Sequence, residues 1–110
     1  MKILSVIRIE PIQEKREEIL CIFRSIKGPI LAKSGCLDCL ISEEDGDEGA
    51  ILFMEQWQSW EYFTRHIRSE IYSKILEAME LSRQMPNVSF YEVSAIKGME
   101  LLRAVRSQNS

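Results

Sequence analysis

The chain has 110 residues, which predicts one domain, and its 14 basic and 17 acidic side chains give a net charge of −3. This balance excludes the basic face that nucleic-acid binding requires, and no apolar run approaches the roughly 18 residues of a membrane-spanning helix. Arg8 and Glu10 interrupt the apolar amino terminus, so we expect no secretion signal and a cytoplasmic protein with reduced cysteines.

The chain opens with a predicted strand and helix. Ile3–Ile9 is rich in β-branched residues and is apolar on both parities, which is typical of a strand covered on both faces, and Pro11 ends it. From Gln13 onwards the apolar residues recur at helical spacing. We expect Gly28 and Pro29 to end or loosen this helix.

A hairpin is predicted next. Cys36–Ser42 and Ala50–Trp57 are apolar runs of strand length, and the polar segment 43–49 lies between them. Within that segment Asp45 and Gly46 form a dipeptide typical of hairpin turns.

The second half predicts helices and a last strand. Ser59 is a suitable N-cap for a helix whose inward face is Trp60, Phe63 and Ile67, with Tyr62 and His66 at the boundary between the faces. A further helical face follows in Ile71, Tyr72, Ile75, Leu76 and Met79. Val88–Ile96 is the last strand, which completes a core over residues 2–96, before an amphipathic extension at 97–106 and a frayed tail at 107–110.

The order strand, helix, strand, strand, helix, strand predicts a ferredoxin-like α+β domain. Its four-stranded antiparallel sheet would have helices on one face, while the other face is also apolar. A second copy packed sheet to sheet is the simplest cover, so we expect a homodimer, a dimeric α/β barrel. The alternative is that the apolar residues of that face are scattered and tolerated in water.

Four motifs stand out between residues 2 and 96. They are the turn at Gly35-Cys36, the strand ending Glu55-Gln56-Trp57, the helix residue His66, and the aromatic-rich last strand with Phe90-Tyr91. Together they resemble the antibiotic biosynthesis monooxygenase domain, whose members share a "PGC" or "SGC" turn, a strand ending Glu-x-Trp, a helix histidine some nine residues later, and an aromatic-rich last strand.

The resemblance implies a homodimeric barrel with a pocket between sheet and helices in each protomer. Members of the family differ in activity: some oxidise quinols or polycyclic aromatic polyketides without metal or flavin, some degrade haem, and one type isomerises a phosphorylated signalling sugar. The haem-degrading branch has an axial histidine beyond the position of Ser69 and an asparagine on the first strand, and this sequence has neither. The remaining branches place a histidine at the pocket mouth, which matches His66.

His66 is the candidate catalytic residue, because an ordinary histidine pKa of about 6.5 suits a general base towards a phenolic or enolic hydroxyl. The alternative is a boundary histidine bonded to a nearby carboxylate or carbonyl. Trp57, Tyr62 and Phe63 are the candidate substrate-binding residues, although Trp57 could equally be core and Tyr62 surface packing. We expect Trp60 in the core.

Glu55 lies in an apolar strand and must be paired or face a cavity, with Arg8 as a candidate partner. Cys36 and Cys39 have redox or zinc spacing, but a separation of three on a strand places the thiols on opposite faces. Because zinc would also need two further ligands, we expect no metal and interpret these cysteines as small buried hydrophobic residues.

Two functions remain open. The first is a cofactor-independent, monooxygenase-like enzyme acting on a small aromatic or quinol-type substrate, with His66 as proton acceptor. The second is a non-catalytic dimeric module that binds a small apolar or aromatic ligand or serves in assembly. The small number of polar candidates for an apolar pocket supports the second.

Overall fold

The computed structural model describes residues 1–46 and 49–108. Its elements are β1 (Lys2–Ile9), a 3-10 turn (Gln13–Lys15), α1 (Arg16–Leu31), β2 (Cys36–Glu43), β3 (Ile51–Trp57), α2 (Trp60–Ile67), α3 (Glu70–Glu80), β4 (Asn87–Val93) and α4 (Met99–Ser107). The last strand ends at Val93 rather than at the predicted Ile96. Residues 47–48 of the predicted hairpin turn and 109–110 of the predicted tail lie outside the described residues.

The four strands form one antiparallel sheet in the order β2-β3-β1-β4. The central strands β1 and β3 pair from Ile3 opposite Trp57 to Ile9 opposite Ile51, and β4 pairs with the other side of β1. This order of strands and helices is the ferredoxin-like α+β fold that the sequence predicts.

The face of the sheet towards the helices carries the core. On β1 and β3 the odd-numbered residues are buried, whereas their even-numbered neighbours are half-buried, apart from the exposed Lys2 at the start of β1. Phe23 of α1 stacks on Phe53 of β3, with ring centroids 4.3 Å apart. Ser5 and Glu55 are also buried on this face. A carboxylate in such a position needs a hydrogen-bond donor from the helices above it.

The helix α1 continues through Pro29 to Leu31, so of the two predicted outcomes, an end or a loosening at Gly28 and Pro29, the end is wrong. A proline inside a helix removes one N–H and crowds the preceding turn. Here only the final turn lies beyond it, and Ile30 in that turn is fully buried. The Ala32 N–H closes the turn on the Gly28 carbonyl at 3.1 Å. Core packing therefore outweighs the local preference of the sequence.

The helix α4 contacts the rest of the described chain sparsely. Met99, Leu102 and Val105 are each more than half exposed on it. The Cα radius of gyration is 16.3 Å, against about 13 Å for a compact chain of this length. No helix within residues 1–46 and 49–108 is long and apolar enough to cross a membrane.

Candidate functional site

The histidine lies in the last turn of α2, buried against β3. The helix begins as predicted, since the Ser59 hydroxyl accepts the Tyr62 N–H at 3.4 Å. His66 is 2% exposed. Its Nε2 lies 2.7 Å from Glu55 Oε2, and its Nδ1 lies 2.9 Å from Lys33 Nζ. The side chain therefore bridges the sheet and the loop that follows α1.

The helix α2 is rotated relative to the prediction. Phe63 and His66 point into the core, whereas Trp60 is 40% and Ile67 37% exposed. The prediction of a core Trp60 is therefore wrong, and its indole N–H instead donates to Glu92 at 3.1 Å. The physical reason is the buried carboxylate of β3, because a buried charge must be hydrogen-bonded and an imidazole can supply the donor.

Lys33, His66 and Glu55 form one line of hydrogen bonds. An ammonium group can only donate, so Nδ1 accepts from Lys33 and the Nε2–H donates to Glu55. The neutral imidazole thus connects a cation to an anion. Lys33 also donates to Ser69 Oγ at 2.7 Å, and the Ser69 hydroxyl donates to the His66 carbonyl at 2.6 Å.

The surroundings of the imidazole are aromatic. The Trp57 ring stacks on it with centroids 4.6 Å apart and planes at 27°, and the Tyr72 ring meets it edge-on at 5.3 Å. Burial, aided by the charge of Glu55, raises the pKa of Tyr72 to about 12, so this phenol stays protonated. Burial also lowers the pKa of Lys33 from 10.5, against the opposing charge of Glu55.

A cavity of about 330 Å³ opens beside this network, within the size range of small-molecule sites. It is lined by Lys33, Ser34, Trp57, Tyr62, Arg65, His66 and Ser69. The structure therefore brings His66 together with two of the three predicted substrate-binding residues. Phe63 is the exception: it is fully buried and packs edge-on against Phe90, with ring centroids 5.2 Å apart.

Sequence reasoning missed Lys33 and Ser69 as members of the site. The signal that could have led to them was Glu55, since a carboxylate in an apolar strand demands donors. The prediction that Arg8 pairs with Glu55 is wrong, because Arg8 lies on the face of the sheet opposite to Glu55. Its guanidinium binds Glu44 instead, at 2.8 and 3.0 Å.

The two strand cysteines share one face, so the prediction of opposite faces is wrong. Cys36 pairs with Trp57 and Cys39 with Glu55, because the register shifts between Cys36 and Asp38. Such a bulge adds a residue to one strand and restores the parity that the spacing alone would break.

Burial raises the thiol pKa of Cys36 to about 11 and that of Cys39 to about 12, the opposite of a reactive thiolate. All three cysteines are free. Within the part of the chain that the structure describes, no three His, Cys, Asp or Glu side chains are grouped so as to hold a metal ion. Cys36 and Cys39 therefore contribute packing rather than thiolate chemistry.

The fold and the site together define a ferredoxin-like α+β domain with a histidine-centred, aromatic-walled cavity between sheet and helices. The chain belongs to the antibiotic biosynthesis monooxygenase family, whose sequence model matches residues 3–78. This range contains every residue that lines the cavity. The sequence has no significant match among curated proteins.

Solved structures with the same fold are distant in sequence. Rv0793 from Mycobacterium tuberculosis is 18% identical with a TM-score of 0.79, over 89% of this chain and 100% of that one. A conserved protein from Methanosarcina mazei Go1 is 22% identical with a TM-score of 0.75, over 83% and 91%. PA3566 from Pseudomonas aeruginosa is 19% identical with a TM-score of 0.73, over 86% and 95%. At these identities the likeness shows the fold alone.

Proposed function

We propose that this chain is a cofactor-independent monooxygenase that oxidises a small aromatic or quinol-type substrate in the cavity beside His66. The observation that carries the proposal is the hydrogen-bonded line from Lys33 through His66 to Glu55, which borders an aromatic-walled cavity. Membership of the family supports the reaction class, since its description names a monooxygenase.

The reaction starts from a substrate that loses a proton and becomes an electron-rich anion. In an anthrone, the enolate carbon reduces dioxygen, a C–O bond forms, and the resulting hydroperoxide loses water. The methylene group becomes a carbonyl. One oxygen atom stays in the product and the other leaves as water, so the substrate supplies all the electrons and no external reductant is consumed.

The proposed roles follow from the hydrogen bonds. A substrate hydroxyl takes the place of the Lys33 ammonium at Nδ1 of His66 and transfers its proton there. The Nε2–H stays bonded to Glu55, whose charge stabilises the imidazolium. Lys33 then faces the substrate oxyanion, and the rings of Trp57 and Tyr62 hold the aromatic body of the substrate.

Oxygen uptake with a panel of hydroquinones and anthrones tests the proposal. The wild-type protein is expected to consume oxygen with at least one of them, and His66→Ala to lose roughly a hundredfold or more of that rate. Lys74→Gln, which changes an exposed lysine of α3, serves as the control and should retain full activity. An equal rate in wild type and His66→Ala, or no uptake with any substrate, would reject the proposal.

A non-catalytic ligand-binding module is the second candidate. One observation favours it: both ring nitrogens of His66 are already hydrogen-bonded, so the resting protein offers no free base to a ligand. Tight binding of a hydroquinone without oxygen uptake would support this function.

A homodimer belongs to the proposal as well. The face of the sheet away from the helices presents half-buried Leu4, Val6 and Met54 together with Leu40, which is 45% exposed. Apolar side chains on neighbouring strands form a continuous patch, and such patches are usually covered by a partner. A second copy packed on this face would complete an α/β barrel.

A further inference from the structure

We infer that the ligand of the cavity is an aromatic acid, a planar ring that carries a permanent anionic oxygen group bound by Lys33 and Arg65. The inference rests on the cavity of the proposed function and narrows its substrate class. It is carried by three observations: a cavity wall without carboxylates, an arginine held beside an aromatic wall, and a lysine with an unused N–H donor.

The first observation concerns the ionisable side chains of the wall. Lys33 and Arg65 are cations, the imidazole of His66 accepts from Lys33 in the line of hydrogen bonds, and no Asp or Glu is among the described residues that line the cavity. The Glu55 charge lies behind the imidazole, on the far side from Lys33. The wall therefore presents positive charge and hydrogen-bond donors to whatever fills it.

Arg65 remains available in spite of its own ion pair. Its guanidinium is 3.2 Å from the Glu61 carboxylate, but the two side chains are 66% and 80% exposed, and pairs of this kind contribute little. The same guanidinium lies 5.4 Å from the centre of the Tyr62 ring. This contact holds the cation beside an aromatic wall of the cavity.

Lys33 has one N–H donor that neither of its two hydrogen bonds uses. An ammonium group has three N–H donors, and Lys33 uses two of them, towards His66 Nδ1 and Ser69 Oγ. Its side chain is half-buried and lines the cavity. An anionic oxygen adds a Coulomb attraction to this ammonium group that a neutral oxygen acceptor lacks. An anionic oxygen in the cavity would therefore be preferred to a neutral one.

Trp57 supplies an aromatic wall. The residue is 1% exposed and lines the cavity, and its ring stacks on the imidazole of His66. An aromatic ligand can stack on such ring walls.

The experiment is an anaerobic fluorescence titration with 1-hydroxy-2-naphthoate and with 1-hydroxy-2-naphthamide, which has the same rings without the charge. The naphthoate is expected to bind about tenfold more tightly or better, because its carboxylate adds a charge–charge attraction to Lys33 and Arg65 that the neutral amide lacks. Lys33→Gln should reduce this preference severalfold, and Arg65 accounts for the part that remains. Lys33→Arg should keep the preference, and Lys74→Gln should match the wild type.

Equal affinities for the two compounds, no binding of either, or an undiminished preference in Lys33→Gln would overturn the inference. The titration excludes oxygen, so its outcome is independent of turnover. A protein that prefers the naphthoate but never consumes oxygen rejects the monooxygenase and keeps the aromatic acid. A protein that oxidises neutral anthrones and shows no preference for the naphthoate rejects the aromatic acid and keeps the monooxygenase.

Discussion

The buried pair of Glu55 and His66 ties the site to the stability of the fold. Both side chains are fully buried, and the Nε2–H has one acceptor, 2.7 Å away. Glu55→Ala removes that acceptor and is expected to lower the free energy of unfolding by about 1–3 kcal/mol. Glu55→Gln keeps an acceptor oxygen of nearly the same size and should lose less. Urea unfolding measures both, and an Ala variant as stable as the wild type would contradict the expectation.

The cysteines should differ in reactivity according to their burial. Cys21 is exposed on α1, whereas burial raises the pKa of Cys36 to about 11 and of Cys39 to about 12. Iodoacetamide reacts with thiolates, so at pH 8 the folded protein should be labelled at Cys21 alone. All three thiols should react in urea. Mass spectrometry of tryptic peptides reads the result, and rapid labelling of Cys39 in the native protein would count against its burial.

The same two raised pKa values set a pH dependence of stability. A thiol whose pKa is higher in the folded state keeps its proton where the unfolded chain has lost it. The stabilisation is complete below the ordinary value of 9.0 and is lost as the pH rises from there towards about 11–12. The free energy of unfolding should therefore fall over this window. Replacing Cys39 with Val should make the free energy of unfolding fall less steeply with pH. An unchanged slope would argue against a raised pKa of Cys39 as its cause.

At the scale of elements, the turn before β2 depends on one glycine. Gly35 has a φ of +83°, and a Cβ placed on it would lie 2.1 Å from the Tyr62 ring. Gly46 has a φ of +108° but open space around it, which makes it the matched control. Gly46→Ala should cost about 1–2 kcal/mol of backbone strain. Gly35→Ala should cost roughly 1–3 kcal/mol more from overpacking.

A double variant separates the two costs. In the background of Tyr62→Gly, which removes both the ring and the Cβ that a side chain at Gly35 would meet, only the backbone strain remains. Gly35→Ala should then cost about as much as Gly46→Ala, as measured by urea unfolding. If the cost stays high without the tyrosine ring, the clash is not its source. Ligand binding by Gly35→Ala alone should also weaken, because Tyr62 lines the cavity.

The elements show how far local patterns determine this structure. Alternation and helical spacing were sufficient to predict the four strands, the N-cap at Ser59 and the order that defines the fold. The rotation of α2 was not predicted, because it depends on the need of Glu55 for a buried donor, which is a contact between distant parts of the chain. The same holds for the bulge after Cys36, since a strand pattern fixes parity only when the register is unbroken.

The candidate site was predictable in part for a similar reason. His66 is the single histidine of the sequence, and the family motif marks its position. No motif marks Lys33, because it lies in the predicted loop after a helix, where an exposed lysine is ordinary. Its place in the site comes from α1 extending past Pro29, which brings the loop over the imidazole. Only the packed structure contains that information.

The outer face of the sheet carries the apolar patch on which a second copy of the chain would pack. Met54 lies opposite Val6 on one neighbouring strand and Leu40 on the other, so it is at the centre of the patch. Stable interfaces bury about 1,200–2,000 Å² in total, and a sheet face together with the exposed apolar side of α4 offers surface of this kind. The extended shape of the single chain agrees with this.

Sedimentation equilibrium at micromolar concentration should therefore give twice the mass of one chain. Met54→Asp should give the mass of a single chain, because each copy would place an unpaired carboxylate in the apolar centre of the two-fold contact. Leu76→Asp is the matched control, since Leu76 is an exposed apolar residue of α3, 49% accessible and on the other side of the molecule. It should leave the dimer intact. A wild-type protein that sediments as one chain would contradict the dimeric barrel. If Met54→Asp and Leu76→Asp both gave the mass of one chain, the dimer contact would lie elsewhere.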